Sequence, residues 1–370
     1  MKTFKIVPEI TEYSDVCDFC RDFALNPGDL FFMSRSSEKY FEGKLNGATV
    51  IYRNDYGSGE PTDTMVEKIW EDVKDIPYTR VIAVGGGTII DVAKLLALET
   101  FHPVLDLYDK KIPAKRTREL VIVPTTCGTG SEVTNISILE LTVRHTKMGL
   151  AADALYPDHA VLIPELLESL PYRFFATSSI DALVHAMESF LSPKATSISR
   201  QFSLKATEII LTNYLKLISS GKDILIDCLK DFLLASTYAG IAFGNAGTGY
   251  VHAMSYSFGG TYHVPHGEAN YVLFTAVFKT YQKMNPNGAI KILNSKLKEI
   301  LNCREDEVYE KLEEVLNAIL PLKPMSFYGA KKEDLEVFSK NTTEVQTRLT
   351  ANGYISFTES QVRKIYESVL

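Results

Sequence analysis

Five short apolar runs, at residues 30–33, 48–52, 81–84, 120–123 and 160–163, alternate with helix-patterned stretches through the first 165 residues and then stop. Runs of that length, bounded by turn residues, suit strands buried on both faces. Their alternation with helical periodicity at 64–74 and 89–98 predicts a parallel sheet with helices packed on it. After Pro171 helical periodicity takes over, as at 203–218, 290–301 and 305–320. An α/β domain over residues 1–170 followed by an all-α domain over 171–370 is expected, since 370 residues exceed what one core usually organises.

Charge narrows the partners. A formal net charge of −7 sets the whole-molecule field against polyanions, so nucleic acid and anionic membrane surfaces are excluded as expected partners. Residues 1–13 hold no apolar stretch of signal-peptide length, which points to the cytoplasm. Five cysteines, an odd number thinly spread, read as reduced thiols, and the Cys17–Cys20 pair lacks the flanking pattern of a redox or zinc motif. From residue 232 to 267 there is no Lys, Arg, Asp or Glu. Glycines, Asn245 and three histidines argue against a membrane span there. The segment reads instead as the lining of a buried site.

Two loops look built for a dinucleotide. VIAVGGGTIID, at 81–91, runs a buried strand into Gly85, Gly86 and Gly87 and then a helix, whose first amides and positive dipole end would meet a pyrophosphate at Gly86–Thr88. LVIVPTTCGTGSE, at 120–132, ends a second strand in an uncharged Thr/Gly loop, and Thr129 and Glu132 have capping-box spacing for a new helix. Thr125, Thr126 and Thr129 either satisfy turn and helix-end amides or line the nicotinamide end of the cofactor. Two such loops in one α/β domain favour the cofactor.

A metal site is expected further on. Asp181 and His185 are four apart in a helical pattern and share a face, although Ser178 and Asp181 also have the spacing of a helix N-terminal cap. The odds shift with His252 and His266 in the uncharged segment, because buried histidines need partners and a divalent cation supplies one to each. A carboxylate with imidazoles and no thiolate suits Fe(II), Zn or Ni. Four protein ligands exceed the usual three of catalytic zinc, which puts Fe(II) first and Zn second.

These motifs resemble the iron-containing (group III) alcohol dehydrogenases, a family related in fold to dehydroquinate synthase and glycerol dehydrogenase. The matching segments are GGGTIID at 85–91, PTTCGTGSEVT at 124–134, DALVHAMES at 181–189, NAGTGYVHAMSY and VPHGEAN, and the likeness runs through essentially the whole chain. It implies a Rossmann-like dinucleotide-binding domain and a helical metal-binding domain. By position, Asp181, His185, His252 and His266 match the metal ligands, while Gly86, Gly87, Thr88, Asp91, Thr125, Thr126 and Thr129 match the cofactor loops. Lys147 and Leu166 stand where members also contact the cofactor.

Within the family the chain looks most like the branch that interconverts succinate semialdehyde and 4-hydroxybutyrate with NAD, as a homodimer or larger homo-oligomer. The alternatives are a general alcohol dehydrogenase of butanol or diol type and a dehydroquinate synthase-like cyclase. Many members carry a further histidine four residues after the third ligand, implicated in proton relay; here Tyr256 stands there, with His263 as a substitute. The first of the five runs ends in Ser34 and Arg35 in place of the Asp common in NAD-preferring members, which leaves NADP open. For a substrate carboxylate, Arg144 and Arg348 are the candidate partners.

Overall fold

The computed structural model describes residues 2–144 and 146–370, which divide into two compact units. One is Ile6–Leu170. The other is Pro171–Leu370 with residues 2–5, where Lys2 Nζ donates to the Ala195 carbonyl at 2.9 Å and the Lys5 amide to Asn245 Oδ1 at 2.7 Å. The opening residues thus lie with the helices.

In the first unit the strands are β1 (Glu9–Glu12), β2 (Asp29–Met33), β3 (Thr49–Tyr52), β4 (Arg80–Gly85), β5 (Glu119–Pro124), β6 (Ile136–Leu141), β7 (Thr146–Ala151) and β8 (His159–Leu162). Six of them form a parallel sheet in the order β1-β8-β5-β4-β2-β3. Each of the five apolar runs became one of these strands, with Leu30, Phe32, Val81, Ala83, Leu120 and Ile122 entering one core with α1 (Asp63–Val73) and α2 (Gly87–Leu96). Helix α1 starts where Thr62 Oγ1 accepts the Met65 amide at 3.0 Å, and it buries Met65, Val66, Ile69 and Val73 on one face.

Three strands had no apolar run to announce them. Strand β1 is a mostly exposed edge strand, EITE, held by its register with β8. Strands β6 and β7 form an antiparallel hairpin apart from the main sheet, and β6 alternates half-buried and buried residues along its length. The α/β unit is therefore not purely parallel.

In the second unit α3 (Tyr172–Leu191), α4 (Ser197–Ser220) and α5 (Leu225–Ala246) pack on one another. They are followed by α6 (Tyr250–Tyr262) and α7 (His266–Met284). Helix α3 is buried without a break from Ser179 to Leu191, so Asp181, His185 and Glu188, its polar face, are buried with its apolar residues and need partners there. It stops at Ser192, whose extended ψ of 138° is what a following proline, Pro193, requires. The uncharged stretch falls mainly on α5 and α6, interrupted by Gly247–Gly249, and no helix among the described residues is long and apolar enough to cross a membrane.

Candidate metal centre and dinucleotide loops

Helices α3, α6 and α7 bring four side chains together. Asp181 and His185 are one turn apart on α3, His252 is the third residue of α6, and His266 is the first of α7. His185 Nδ1 lies 3.9 Å from Asp181 Oδ2, and His252 Nε2 and His266 Nε2 each lie 3.9 Å from Asp181 Oδ1. One ligand atom from each residue falls within 4.8 Å of all the others. Ser178 and Asp181 do not start a helix: α3 begins at Tyr172, and both sit well inside it.

Glycine explains how α7 comes so close. A Cβ on Gly267 would stand 2.5 Å from the Thr177 carbonyl oxygen of α3, so only the missing side chain lets His266 approach Asp181. His263 ends α6 in the left-handed conformation at φ 52°, and Pro265 precedes the first residue of α7. That turn presents His266 to the cluster, while His263 is exposed. Tyr256, one turn after His252 on α6, is half-buried, with its ring centroid 6.0 Å from that of His266.

The cluster is closed on one side and open on the other. Asp181, His185 and His252 are buried, while the His266 side chain is 32% exposed. Burial alone would raise the Asp181 carboxyl, but three imidazoles, His185 first, and the Asn270 amide hold it below its usual range. Asn270 Nδ2 donates to Asp181 Oδ1 at 2.7 Å and lies 3.2 Å from both His252 Nε2 and His266 Nε2. Its Oδ1 is buried and has no hydrogen-bond partner among the described residues. One NH2 group has two protons for the three lone pairs it faces, so a carboxylate and imidazole nitrogens converging there fit a divalent cation better than a closed polar network.

The two loops of the α/β unit lie side by side. The Thr125 amide donates to the Gly85 carbonyl at 3.1 Å, and Gly86, Gly87, Thr88, Thr125, Thr126 and Thr129 are all half-buried. Helix α2 has Gly86 at its N-cap with no side-chain cap, so its first amides are open to an anion. The three glycines also serve packing. None of Gly85, Gly86 and Gly87 has a positive φ. A Cβ on Gly85 would meet Ile89 at 2.3 Å, on Gly86 Thr126 at 3.1 Å, and on Gly87 Thr129 at 2.9 Å, so the glycines let the threonine loop and the helix pack against this strand end.

Thr129 and Glu132 do not open a helix. Gly130 is left-handed, and only the 3-10 turn Ser131–Val133 follows, without a side-chain cap. Both Asp91 oxygens are engaged, one by the Ser131 hydroxyl at 2.9 Å and one by the Ile138 amide at 3.0 Å, so Asp91 ties the second loop and the hairpin to α2. Lys147 is paired with Glu60 at 2.5 Å, and Leu166 is a core residue on Pro164–Leu167. Arg144 is bound by Asp109 through two contacts of 2.8 Å, and Arg348 is exposed on Thr347–Thr350.

Two family models cover most of the chain: iron-containing alcohol dehydrogenase over residues 30–164, and the C-terminal part of the Fe-containing alcohol dehydrogenase family over residues 175–370. The chain belongs to the iron-containing alcohol dehydrogenase family. Among its relatives, a 4-hydroxybutyrate dehydrogenase of Clostridium kluyveri is 47% identical over 370 residues, all of both chains. A long-chain-alcohol dehydrogenase of Geobacillus thermodenitrificans is 33% identical over 84% of this chain and 79% of its own. In fold, the chain matches a sulfoacetaldehyde reductase of Bifidobacterium kashiwanohense, solved with NAD+, at a TM-score of 0.85 with 21% identity over 100% of this chain and 98% of the other. This iron-containing alcohol dehydrogenase is thus an oxidoreductase of the alcohol dehydrogenase class, with an alcohol or aldehyde as substrate.

Sequence reasoning passed over three polar residues of this alcohol dehydrogenase. Glu188, fully buried on α3, contacts His252; Asn270 touches three of the four clustered residues; and Lys94, 0% exposed, donates from Nζ to Ser131 Oγ at 2.7 Å, Thr134 Oγ1 at 3.1 Å and the Ile136 carbonyl at 2.7 Å. Burial lowers the Lys94 ammonium to about 8, against the pull of Asp91 and Glu132. A signal existed for each. Glu188 follows His185 by three residues, Asn270 follows His266 by four and Lys94 follows Asp91 by three, all helical neighbours of residues already singled out.

Proposed function

We propose that this dehydrogenase reversibly reduces succinate semialdehyde to 4-hydroxybutyrate, using NAD(H) and Fe(II), with Zn as second choice, held by Asp181, His185, His252 and His266. The convergence of those four donors on one point carries the metal assignment. The end-to-end identity of 47% with a 4-hydroxybutyrate dehydrogenase supports the substrate. In the reaction the aldehyde carbon gains a hydride and its oxygen gains a proton.

When bound, the ion supplies a Lewis acid for the aldehyde oxygen and the dinucleotide supplies the hydride. The chain's own residues do the rest. The free amides of Gly86, Gly87 and Thr88 hold the pyrophosphate, and Thr125, Thr126 and Thr129 line the nicotinamide end. Asp91 acts behind them, by fixing the second loop. Family position adds Lys147 and Leu166 to the cofactor set, where Lys147 must exchange Glu60 for the dinucleotide and Leu166, a core residue, acts by packing. His266, the exposed member of the metal set, marks the side from which the aldehyde enters. Tyr256 gives the oxygen its proton, and His263, exposed at the end of α6, relays to solvent; tyrosine's ordinary pKa of about 10 makes this a donor role at neutral pH. For the substrate carboxylate, Arg144 is already committed to Asp109, and Arg348 is the candidate carried forward.

NAD is preferred over NADP because the guanidinium of Arg35, two residues past β2, is already engaged by Asp55 at 2.8 Å and 2.9 Å and would have to leave it to meet a 2′-phosphate. A cytoplasmic homo-oligomer completes the proposal, and light scattering reads the assembly directly. The deciding experiment follows NADH at 340 nm in metal-replete protein with succinate semialdehyde and with butanal. A specificity constant at least tenfold higher for the semialdehyde is expected. Equal constants leave a general primary-alcohol dehydrogenase, and no stoichiometric loss of NADH with any aldehyde leaves a cyclase.

A further inference from the structure

We propose that Glu188 is a positioning residue that fixes the tautomer of His252 and so reserves its Nε2 for the metal ion, an inference that rests on the metal centre proposed above. Asp181, His185 and Glu188 are spaced 0, 4 and 7 along α3 and share one face, so the helix that carries two of the four donors also carries this carboxylate. Its side chain is 1% exposed. Oε2 lies 2.6 Å from His252 Nδ1 and accepts the Gly249 amide at 3.0 Å, while Oε1 accepts the Val251 amide at 2.6 Å.

An ionised carboxylate only accepts hydrogen bonds. All three contacts must therefore arrive as donors, and the imidazole contact is one of them. With its proton on Nδ1, His252 has a bare lone pair on Nε2, the atom that faces Asp181 Oδ1 at 3.9 Å. The two amides belong to the start of α6, whose positive end favours a buried carboxylate at that place. Room for it is kept by Gly249, where a Cβ would stand 3.2 Å from Glu188 Oε1.

A plain helix cap would make the same two amide contacts, so the test must separate capping from positioning. In Glu188→Gln one oxygen becomes an NH2 group. Either the amide faces a backbone N–H, or it donates to His252 Nδ1 and drives the imidazole proton onto Nε2, where it blocks ligation. Zinc affinity is measured by chelator competition in wild type and E188Q, with circular dichroism as the check on folding and thermal midpoints recorded beside it. The expected result is a zinc Kd raised 10- to 100-fold in folded E188Q, the range typical of lost outer partners of a ligating histidine. A Kd changed less than tenfold, with only the midpoint lowered, overturns the proposal and leaves a cap.

Wild type alone provides the second measurement. Histidine-selective 15N spectra of the zinc-loaded enzyme are expected to show a ring with a solvent-protected proton on Nδ1 and metal on Nε2. Their showing no ring protonated at Nδ1 overturns the proposal even if E188Q does not fold. Wild type that takes up no zinc removes the metal centre itself, and this inference with it; wild type that binds zinc while E188Q binds equally well removes the inference alone.

Discussion

Asn270 sits where one amide meets three prospective ligands, so its loss is expected to disturb the cation more than the fold. Asn270→Leu keeps the number and branching of side-chain heavy atoms but removes the donor that holds Asp181 Oδ1 at 2.7 Å. A zinc Kd raised about tenfold is expected, by the general sensitivity of ligands to their outer partners, and chelator competition measures it. Unchanged affinity would mean that the amide merely fills space. Lys94 gives a prediction of opposite character, in pH. Its folded pKa, about 8, lies below the ordinary lysine value of about 10.4. Between those two values the unfolded chain binds the proton and the folded one does not, so the contribution of Lys94 to stability is flat below pH 8 and rises as pH climbs towards 10.4. The span is at most about 3 kcal/mol. Urea unfolding of wild type and Lys94→Met at pH 7 and pH 9.5 reads it as a difference, which cancels the other titrating groups; a constant difference would contradict it. Asp181 and His185 were legible because both sit on one helical face in sequence, and His252 and His266 because charge avoids their neighbourhood. Glu188 and Asn270 stand one helical turn from His185 and His266, but that spacing gives their place and not their role, since the partners that give them meaning lie 64 and 89 positions away.

At the scale of elements, two glycines decide how close neighbours come. Gly267→Ala would place a methyl 2.5 Å from a backbone oxygen of α3, which cannot swing aside as a side chain could. Helix α7 must shift, taking His266 with it. A loss of about 1–3 kcal/mol in urea unfolding is expected, as for other overpacked sites, together with weaker zinc binding. Gly87→Ala meets only the Thr129 methyl at 2.9 Å, so a smaller loss is expected there, with the damage read in the Kd for NAD and not in that for zinc. If Gly87→Ala instead weakened zinc and spared NAD, the division of labour between the loops and the cluster would be wrong. The same contrast marks what the sequence could tell about elements. Each buried strand declared itself by an apolar run, because burial on both faces leaves no polar alternative. Strand β1 stayed hidden because an exposed edge strand is fixed by the strand it pairs with, and the hairpin because its pattern is too mixed to stand apart from a loop. The supposed helix start at Thr129 failed for a local reason: left-handed Gly130 intervenes, and the hydroxyls there serve the loop and Lys94.

For the whole molecule, the two ligands are expected to stabilise different units. The four donors all lie in Pro171–Leu370, whereas both cofactor loops lie in Ile6–Leu170. A ligand that binds only the folded state stabilises it by RT ln(1 + [L]/Kd), about 2.7 kcal/mol at one hundred times Kd. Local opening should fall where the ligand adds bonds. Zinc added to chelator-treated enzyme is therefore expected to slow amide exchange in peptides from the second half of α3, α6 and the start of α7. NAD is expected to slow it in peptides spanning 85–96 and 125–138. Segments 125–138 should respond as a block, because Asp91 and Lys94 bolt the threonine loop and β6 to α2. Peptide-resolved hydrogen exchange with each ligand alone checks this. Protection by NAD confined to the helical unit would place the dinucleotide elsewhere, and equal protection of both units by zinc alone would mean that the cluster reports on global unfolding and not on its own three helices.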